Sequence, residues 1–475
     1  MKILLVAPVK DDSAGLAQFP PIGLGYLATA LRDAGHKDVR ILDCILESMD
    51  FKGFEDYLRQ WRPDVVGVNS WSLSVREVKM SLEIAKSVDD GTVTVIGGPH
   101  PSALGPGALK ALPEADFAFR GEAEAGLPML MDLVAGAPGA SPGKIPGLMY
   151  RRGTEIEANG QVFEEDLDSI GAPSWDMIRP ERYALAGSLV RRHTACIITT
   201  RGCPFPCTFC SAHLTAGRKI RTRSPENVME EIKLLHYCHG IKRFVVFDEN
   251  ITLKRDHITA LCKRVISEDL DITFELPNGI RLDTLDMEIL TLMRRAGFSE
   301  RVAVGIESGS PRILKLMKKG LAKDEIRDKV DLLNMAGFRP IGYFIMGFPT
   351  ETREEMEETI RFARELKLFR AGFMPFHPLP GTESYNLLVE RGEIAGDFDF
   401  SALATDNIAY APEGMGKDEL ERMRKRAILS FNLRPRVIWD YARDYNSFRF
   451  ALKKVRSVFL RKTATGKSTP LTGTA

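Results

Sequence analysis

Short runs of Val, Ile and Leu without polar alternation recur through the first 125 residues. Between them lie stretches whose apolar residues return at helical spacing. Unbroken apolar runs suit strands buried on both faces. The runs predict strands at 2–9, 39–43, 64–70, 93–98 and 116–121, and the spaced stretches predict helices at 23–34, 54–62 and 75–87. Gly35 stands where the first helix should stop. Strands alternating with helices of this length imply βαβ units and a doubly wound parallel sheet.

The pattern changes at 135–146 (AGAPGASPGKIP), a Gly/Pro/Ala/Ser-rich linker. A connecting segment follows, with a small hairpin expected near 147–163. A second α/β series then predicts strands at 195–200, 242–248, 272–278, 301–307, 339–346 and 371–377. Helices are predicted at 226–238, 256–267, 286–296, 311–317, 324–336 and 353–366. Ser224 as N-cap and Pro225 at N1 open the first of these. Six βα units are best closed as a partial (β/α)6 TIM-type barrel. The expected organisation is a Rossmann-like domain at 1–134, a linker and connecting segment at 135–192, the barrel at 193–400, and a helical C-terminal region at 401–475 with a disordered Thr/Gly/Lys-rich tail.

Charge changes little in this picture. The chain has 65 Lys+Arg against 64 Asp+Glu, a net charge of +1, so no global field draws nucleic acid. The opening apolar run is too short for a secretory signal and is interrupted by Lys10, Asp11 and Asp12. No stretch approaches the ~20 apolar residues of a membrane span, so a cytoplasmic protein is expected. Residues 448–462 carry six basic side chains and no acidic one, with Phe448, Leu452, Val455 and Phe459 at helical spacing. Two readings stand: an interfacial helix giving peripheral membrane contact, or a helix packing its apolar stripe on the barrel.

The seven cysteines are sparse and odd in number, which argues against a disulfide framework. Three fall in one Gly/Pro-rich loop, as Cys203-Pro-Phe-Pro-Cys207-Thr-Phe-Cys210. A Cys3His zinc knuckle would recruit His213 as its fourth ligand. A cubane iron–sulfur cluster needs only the three thiolates and leaves one iron open.

Cx3Cx2C with Phe209 before the last cysteine resembles the signature of the radical S-adenosylmethionine (SAM) superfamily. The resemblance continues down the chain and is closest to the cobalamin-binding subfamily. It implies a 4Fe-4S cluster on Cys203, Cys207 and Cys210, with SAM on the open iron. It also implies cofactor-binding residues at the barrel strand ends. These are Asp248 and Glu249 near the methionyl amine, and Arg281 in the ribose and carboxylate region. Glu307 and Ser308 would also reach ribose or carboxylate, and Met346 and Gly347 the adenine. Tyr343 and His377 are the residues placed for a catalytic role. The run 218–223 (RKIRTR) reads either as a contact to the cofactors or as a solvated edge.

Three segments at the ends of the first sheet's strands resemble cobalamin domains. They begin at Gln18, at Asn69 and at Gly97. Ser70, Ser72 and Ser74 would bond the nucleotide loop. Gly97, Gly98, Pro99 and His100 would line the dimethylbenzimidazole tail. The loop at 9–17 lacks the Asp-x-His-x-x-Gly of many cobalamin domains, which implies a cobalt without a histidine from that loop. The activity implied is reductive cleavage of SAM to a 5′-deoxyadenosyl radical, hydrogen abstraction, and methyl transfer from methylcobalamin to the substrate. Radical cyclisation, oxidation or rearrangement without methylation is the alternative, and a non-catalytic cluster-carrying protein is the reading from another class. Expected partners are a small-molecule or lipid-like substrate and an external electron donor such as flavodoxin or ferredoxin.

Overall fold

A computed structural model describes residues 1–9, 19–183, 194–395, 398–403 and 407–443. The basic stretch at 448–462, the tail beyond it and most of the loop at 9–17 lie outside the described residues.

The first apolar runs become β1 (Ile3–Ala7), β2 (Val39–Asp43), β3 (Val65–Asn69), β4 (Val93–Gly97) and β5 (Phe117–Phe119). They lie in the order β2-β1-β3-β4-β5 and are all parallel. Strand β1 shows why its run is unbroken. Leu4 and Val6 pack on the helix side holding Phe54, Leu58 and Leu82. Ile3 and Leu5 pack on the opposite face against Leu24, Leu31 and Leu130. Burying each such side chain contributes about 1.5–3 kcal/mol.

The expected hairpin forms as β6 (Leu148–Arg152) and β7 (Glu155–Ala158). It pairs antiparallel onto β5 and so extends the first sheet to seven strands, past the linker. Tyr150 and Leu148 are then buried beside Leu127 and Leu130.

The second series holds β8 (Thr194–Ile197), a two-stranded antiparallel ribbon of β9 (Thr200–Arg201) and β10 (Arg221–Thr222), then β11 (Arg243–Val246) and β12 (Thr273–Glu275). It ends with β13 (Arg301–Glu307), β14 (Arg339–Met346) and β15 (Arg370–Pro375). Two parallel three-stranded sheets result, β8-β11-β12 and β13-β14-β15. Isolated parallel bridges at Phe274–Phe298 and Ile280–Val304 join them, giving a six-stranded open barrel. Strand β14 alternates between the two surfaces of its wall. Phe344 and Met346 are fully buried in the core that also holds Phe373, Leu420 and Phe431, whereas Ile341, Tyr343 and Ile345 are half-buried on the inner face. Helices Lys417–Asn432 and Pro435–Arg443 close the described chain. None of the described helices is long and apolar enough to cross a membrane.

Candidate functional site between sheet and barrel

A cleft of about 270 Å³ opens where the sheet faces the barrel. The sheet side contributes Gly67, Gly97 and Gly98; the barrel side contributes Thr200, Arg201, Phe247 and Glu249. A Cβ built on Gly23 or Gly97 meets no atom within 4 Å, so both glycines leave space in the cleft. Gly98 is different. Its φ of +103° suits glycine, and a Cβ would stand 2.6 Å from Asn69 Oδ1.

The loops after β3 and β4 are laced together. The Ser70 N–H donates to the Gly97 carbonyl at 2.7 Å, and the His100 N–H donates to the Ser70 carbonyl at 3.0 Å. Ser72 Oγ and His100 Nδ1 bond at 3.0 Å. Burial depresses the His100 pKa to about 4, so the ring is neutral at pH 7. Ser70 Oγ and His100 Nε2 are buried with no partner in the protein. Pro99 opens helix Pro99–Leu104. Ser74 bonds the nearby Trp71 carbonyl at 3.3 Å instead of facing the cleft.

Ion pairs lock the two halves. Glu122, just after β5, holds Arg201 at 3.2 Å and Arg221 at 2.8 Å, and Glu124 holds Arg201 at 2.8 Å. Arg201 also lies 4.9 Å from the Tyr26 ring centroid. All this sits two residues before Cys203. Of the basic run at 218–223, Arg221 and Arg223 are therefore buried ion-pair partners, while Arg218 and Lys219 are exposed.

The cysteine loop runs from β9 to the short helix Ala212–Ala216. Cys203, Cys207 and Cys210 are all half-buried. Burial raises the Cys203 and Cys210 thiols, that of Cys210 to about 11. Among the described residues, no three His, Cys, Asp or Glu donors stand closed on a metal position. The loop is pinned from behind by the Thr208 N–H on the Met317 carbonyl at 3.1 Å and by Thr208 Oγ1 on the Leu316 carbonyl at 3.2 Å. Phe209 packs into a small core with Phe348, Phe376 and Ile313.

Arg281 binds this loop from the barrel. Its guanidinium lies 3.5 Å over the Phe205 ring, its Nη1 is 3.7 Å from Cys207 Sγ, and its Nη2 donates to the Lys319 carbonyl at 2.7 Å. Glu307, at φ +68°, pairs with Lys319 Nζ at 2.8 Å, and both are buried. A Cβ on Gly305 would strike Glu307 Oε1 and stand 2.9 Å from Lys319 Nζ, so that glycine makes room for the pair.

Several expected site residues do other work. Asp248 is fully buried, and its oxygens accept from the Thr199 N–H at 2.7 Å, Thr199 Oγ1 at 2.6 Å and Thr200 Oγ1 at 3.0 Å. It holds the approach to the cysteine loop and offers a ligand no free oxygen. Glu249 accepts the Gly202 N–H at 3.1 Å and faces the interdomain cleft; burial raises its pKa to about 7. Ser308 is fully buried and bonds Thr359 Oγ1 at 3.1 Å, tying its loop to helix Arg353–Glu365. Met346 points into the outer core, and a Cβ on Gly347 would stand 2.5 Å from Leu420 Cδ2.

Tyr343 lies on the inner face beside Gly372, where a Cβ would be 2.8 Å from its Cδ1. His377 is held near neutral by burial, with a ring bond to the Asn407 backbone and Nε2 unpartnered.

The radical SAM superfamily model matches residues 197–363, and the B12 binding domain model matches residues 16–130. An uncharacterized methyltransferase of Pyrococcus horikoshii is 31% identical over 458 residues, covering 94% of this chain and 96% of that protein. The chain belongs to the B12-binding radical SAM enzymes.

Relatives in this family include the anaerobic magnesium-protoporphyrin IX monomethyl ester cyclase of Rubrivivax gelatinosus. It is 28% identical, over 88% of this chain and 75% of its own. Among solved structures, the cobalamin-dependent SAM radical enzyme OxsB with aqua-cobalamin and SAM bound aligns with a TM-score of 0.75. That match has 16% identity and covers 95% of this chain and 72% of OxsB. The radical SAM methyltransferase TsrM of Kitasatospora setae aligns at 0.67, with 20% identity over 89% and 85% of the two chains. A radical SAM enzyme of this family uses a 4Fe-4S cluster, SAM and cobalamin. Membership decides for the cubane cluster over the zinc knuckle.

The residues present fit these groups. Three thiols without a fourth donor suit a cubane with one open iron. The cleft lined by Gly23, Gly67, Gly97 and Gly98 suits a flat ligand, and the unpartnered Ser70 Oγ and His100 Nε2 lie in the loops just behind it. Lys319 was not legible from sequence, because Lys-Lys-Gly reads as a solvated helix end. The Arg201–Glu122–Glu124 network was also hidden, since its partners lie far apart in the chain. One signal for Lys319 was Gly305 two residues before Glu307, a gap that a buried cation fills.

Proposed function

We propose that this chain is a methyltransferase acting on an unactivated carbon of a small or lipid-like molecule, with a low-potential electron carrier as its reductant. The observation that carries this reading is the shared cleft: Gly97 of the sheet and Glu249 of the barrel line one cavity, and Glu249 bonds the residue before Cys203. A methyl carrier seated on the sheet would then stand beside the radical-generating site. Such proximity matters because holding reacting groups together replaces a bimolecular encounter.

When bound, the three groups supply a deoxyadenosyl radical and a transferable methyl group, chemistry that belongs to the cofactors. The chain supplies position. Gly23 and Gly97 would leave room for the cobalamin tail, and the unpartnered Ser70 Oγ and His100 Nε2 would be available to its polar edge, with Ser72 holding the His100 ring. Glu307 and Lys319, a buried pair of opposite charges, would offer partners to the polar groups of SAM. Arg281 holds the cysteine loop at its set distance from that pair. Tyr343 and His377 line the inner face, where the neutral imidazole Nε2 has no other partner to satisfy it.

Methyl-labelled SAM tests the reading. Turnover is expected to release S-adenosylhomocysteine and 5′-deoxyadenosine in comparable amounts, with label in the product. The cyclase relatives favour a second reading, cyclisation without methylation, for which deoxyadenosine forms without matching S-adenosylhomocysteine and no label reaches the product.

A further inference from the structure

Gly67 leaves a notch in the middle of the first sheet. It lies on β3, flanked in register by Leu5 of β1 and Val95 of β4. Both neighbours are buried, yet Gly67 itself is only half-buried and lines the cleft. Its φ is not positive, so no turn calls for glycine there. Glycine inside a central strand weakens the strand and marks close approach by another group. A Cβ built on Gly67 would meet Leu5 Cδ2 at 3.2 Å and otherwise only the Leu4 carbonyl, at 3.9 Å. The walls around the notch are hydrocarbon. Leu24 and Leu27 come from helix Ile22–Asp33 and Leu127 from helix Gly126–Val134, and they share one core with Leu5 and Val95. The polar side chains that the sheet brings to the cleft, Asn69, Glu122 and Glu124, come at or beyond the strand ends. Tyr26 of the first helix has its ring 4.9 Å from the Arg201 guanidinium of the barrel.

We infer that this notch selects among corrinoids by their lower base, accepting the dimethylbenzimidazole of cobalamin and rejecting a cobamide whose base is adenine. The inference rests on the corrinoid's seating in this cleft. The missing side chain at Gly67 leaves a slot between Leu5 and Val95 that a flat ring can enter. Dimethylbenzimidazole offers the slot a benzo ring and two methyl groups, and burying apolar surface is favourable. Adenine carries an exocyclic amine and two further ring nitrogens in their place. The side chains that wall the notch cannot bond them. The backbone cannot either, because β3 is paired along both edges at Gly67. A polar group buried without a partner weakens binding. Leu24, Leu27 and Leu127 are thus the specificity-determining side chains, and Gly67 is the opening they guard.

The test is equilibrium binding of three corrinoids to the full chain with its cluster reconstituted anaerobically. The probes are cobalamin, the adenine-bearing cobamide, and cobinamide, which has no lower base. The parent protein is expected to bind cobalamin roughly tenfold or more tightly than the adenine cobamide. Gly67→Val fills the notch with a side chain suited to a strand. It should weaken cobalamin to the level of cobinamide, leave cobinamide binding at the parent value, and keep the parent's iron and sulfide. Equal affinity of the parent for the two cobamides would overturn the selection. So would Gly67→Val binding cobalamin as the parent does, or losing cobinamide as well, which would place the effect on the domain as a whole. Failure of the parent to bind any of the three would instead overturn the cofactor cleft on which the inference rests.

Discussion

Arg281 sets its Nη1 3.7 Å from Cys207 Sγ while its guanidinium lies 3.5 Å over Phe205. One buried cation thus touches both the sulfur and the backbone loop of the cluster site. Its remaining nitrogens are taken by Asp283 at 2.8 Å and the Lys319 carbonyl at 2.7 Å. A positive charge beside a cluster sulfur favours the reduced state. Arg281→Met should therefore move the cluster potential to a more negative value, read by a redox titration followed by electron paramagnetic resonance. Arg281→Lys should restore part of the potential but not the packing on Phe205, because an ammonium has no planar face to stack.

The Glu307–Lys319 pair predicts a double-mutant cycle. Removing one partner leaves the other charged and buried, at a cost of about 3–5 kcal/mol. Lys319→Met should lower the urea midpoint of the holoenzyme by a corresponding amount. Glu307→Gln combined with Lys319→Met should recover most of that loss, while SAM binding stays weak.

Gly97 offers a cleaner test of the cofactor cleft. It does not have a positive φ, and a Cβ there meets nothing within 4 Å. Gly97→Leu should fold normally and fill the cleft. Reconstituted variant is expected to keep its iron and sulfide and to lose most of its cobalamin, measured in one desalted sample.

Glu351 gives a pH signature away from the cluster. Burial raises its pKa from 4.5 to about 8, and its Oε2 accepts from the Gly347 N–H at 2.6 Å and the Phe348 N–H at 3.1 Å. A carboxyl raised in the folded state binds its proton more tightly there than in the unfolded chain. Its stabilising contribution is full below pH 4.5 and is lost as pH rises through about 8. Glu351→Gln should flatten that decline in a series of urea midpoints from pH 5 to pH 9.

These tests also mark what could be read from the chain alone. Unbroken apolar runs located the parallel strands because both faces of each are covered; β1 splits Leu4 and Val6 from Ile3 and Leu5. The cysteine triplet was legible because its ligands are local in sequence. Facing was not. Tyr343 and Met346 both look apolar along β14, yet one lines the inner face and the other the outer core. Asp248 and Ser308 carry ligand-like chemistry, but threonine partners far along the chain use it up. The pairing of β6 onto β5 was equally hidden, since an antiparallel edge strand carries no local mark of its neighbour.

The central claim is that one chain holds a cluster and a cobalamin against the same cleft. The most direct test is the absorbance of anaerobically reconstituted, desalted protein, with iron, sulfide and cobalamin counted together. The account predicts stoichiometric cobalamin alongside a cubane cluster. A full cluster with no retained cobalamin would contradict it.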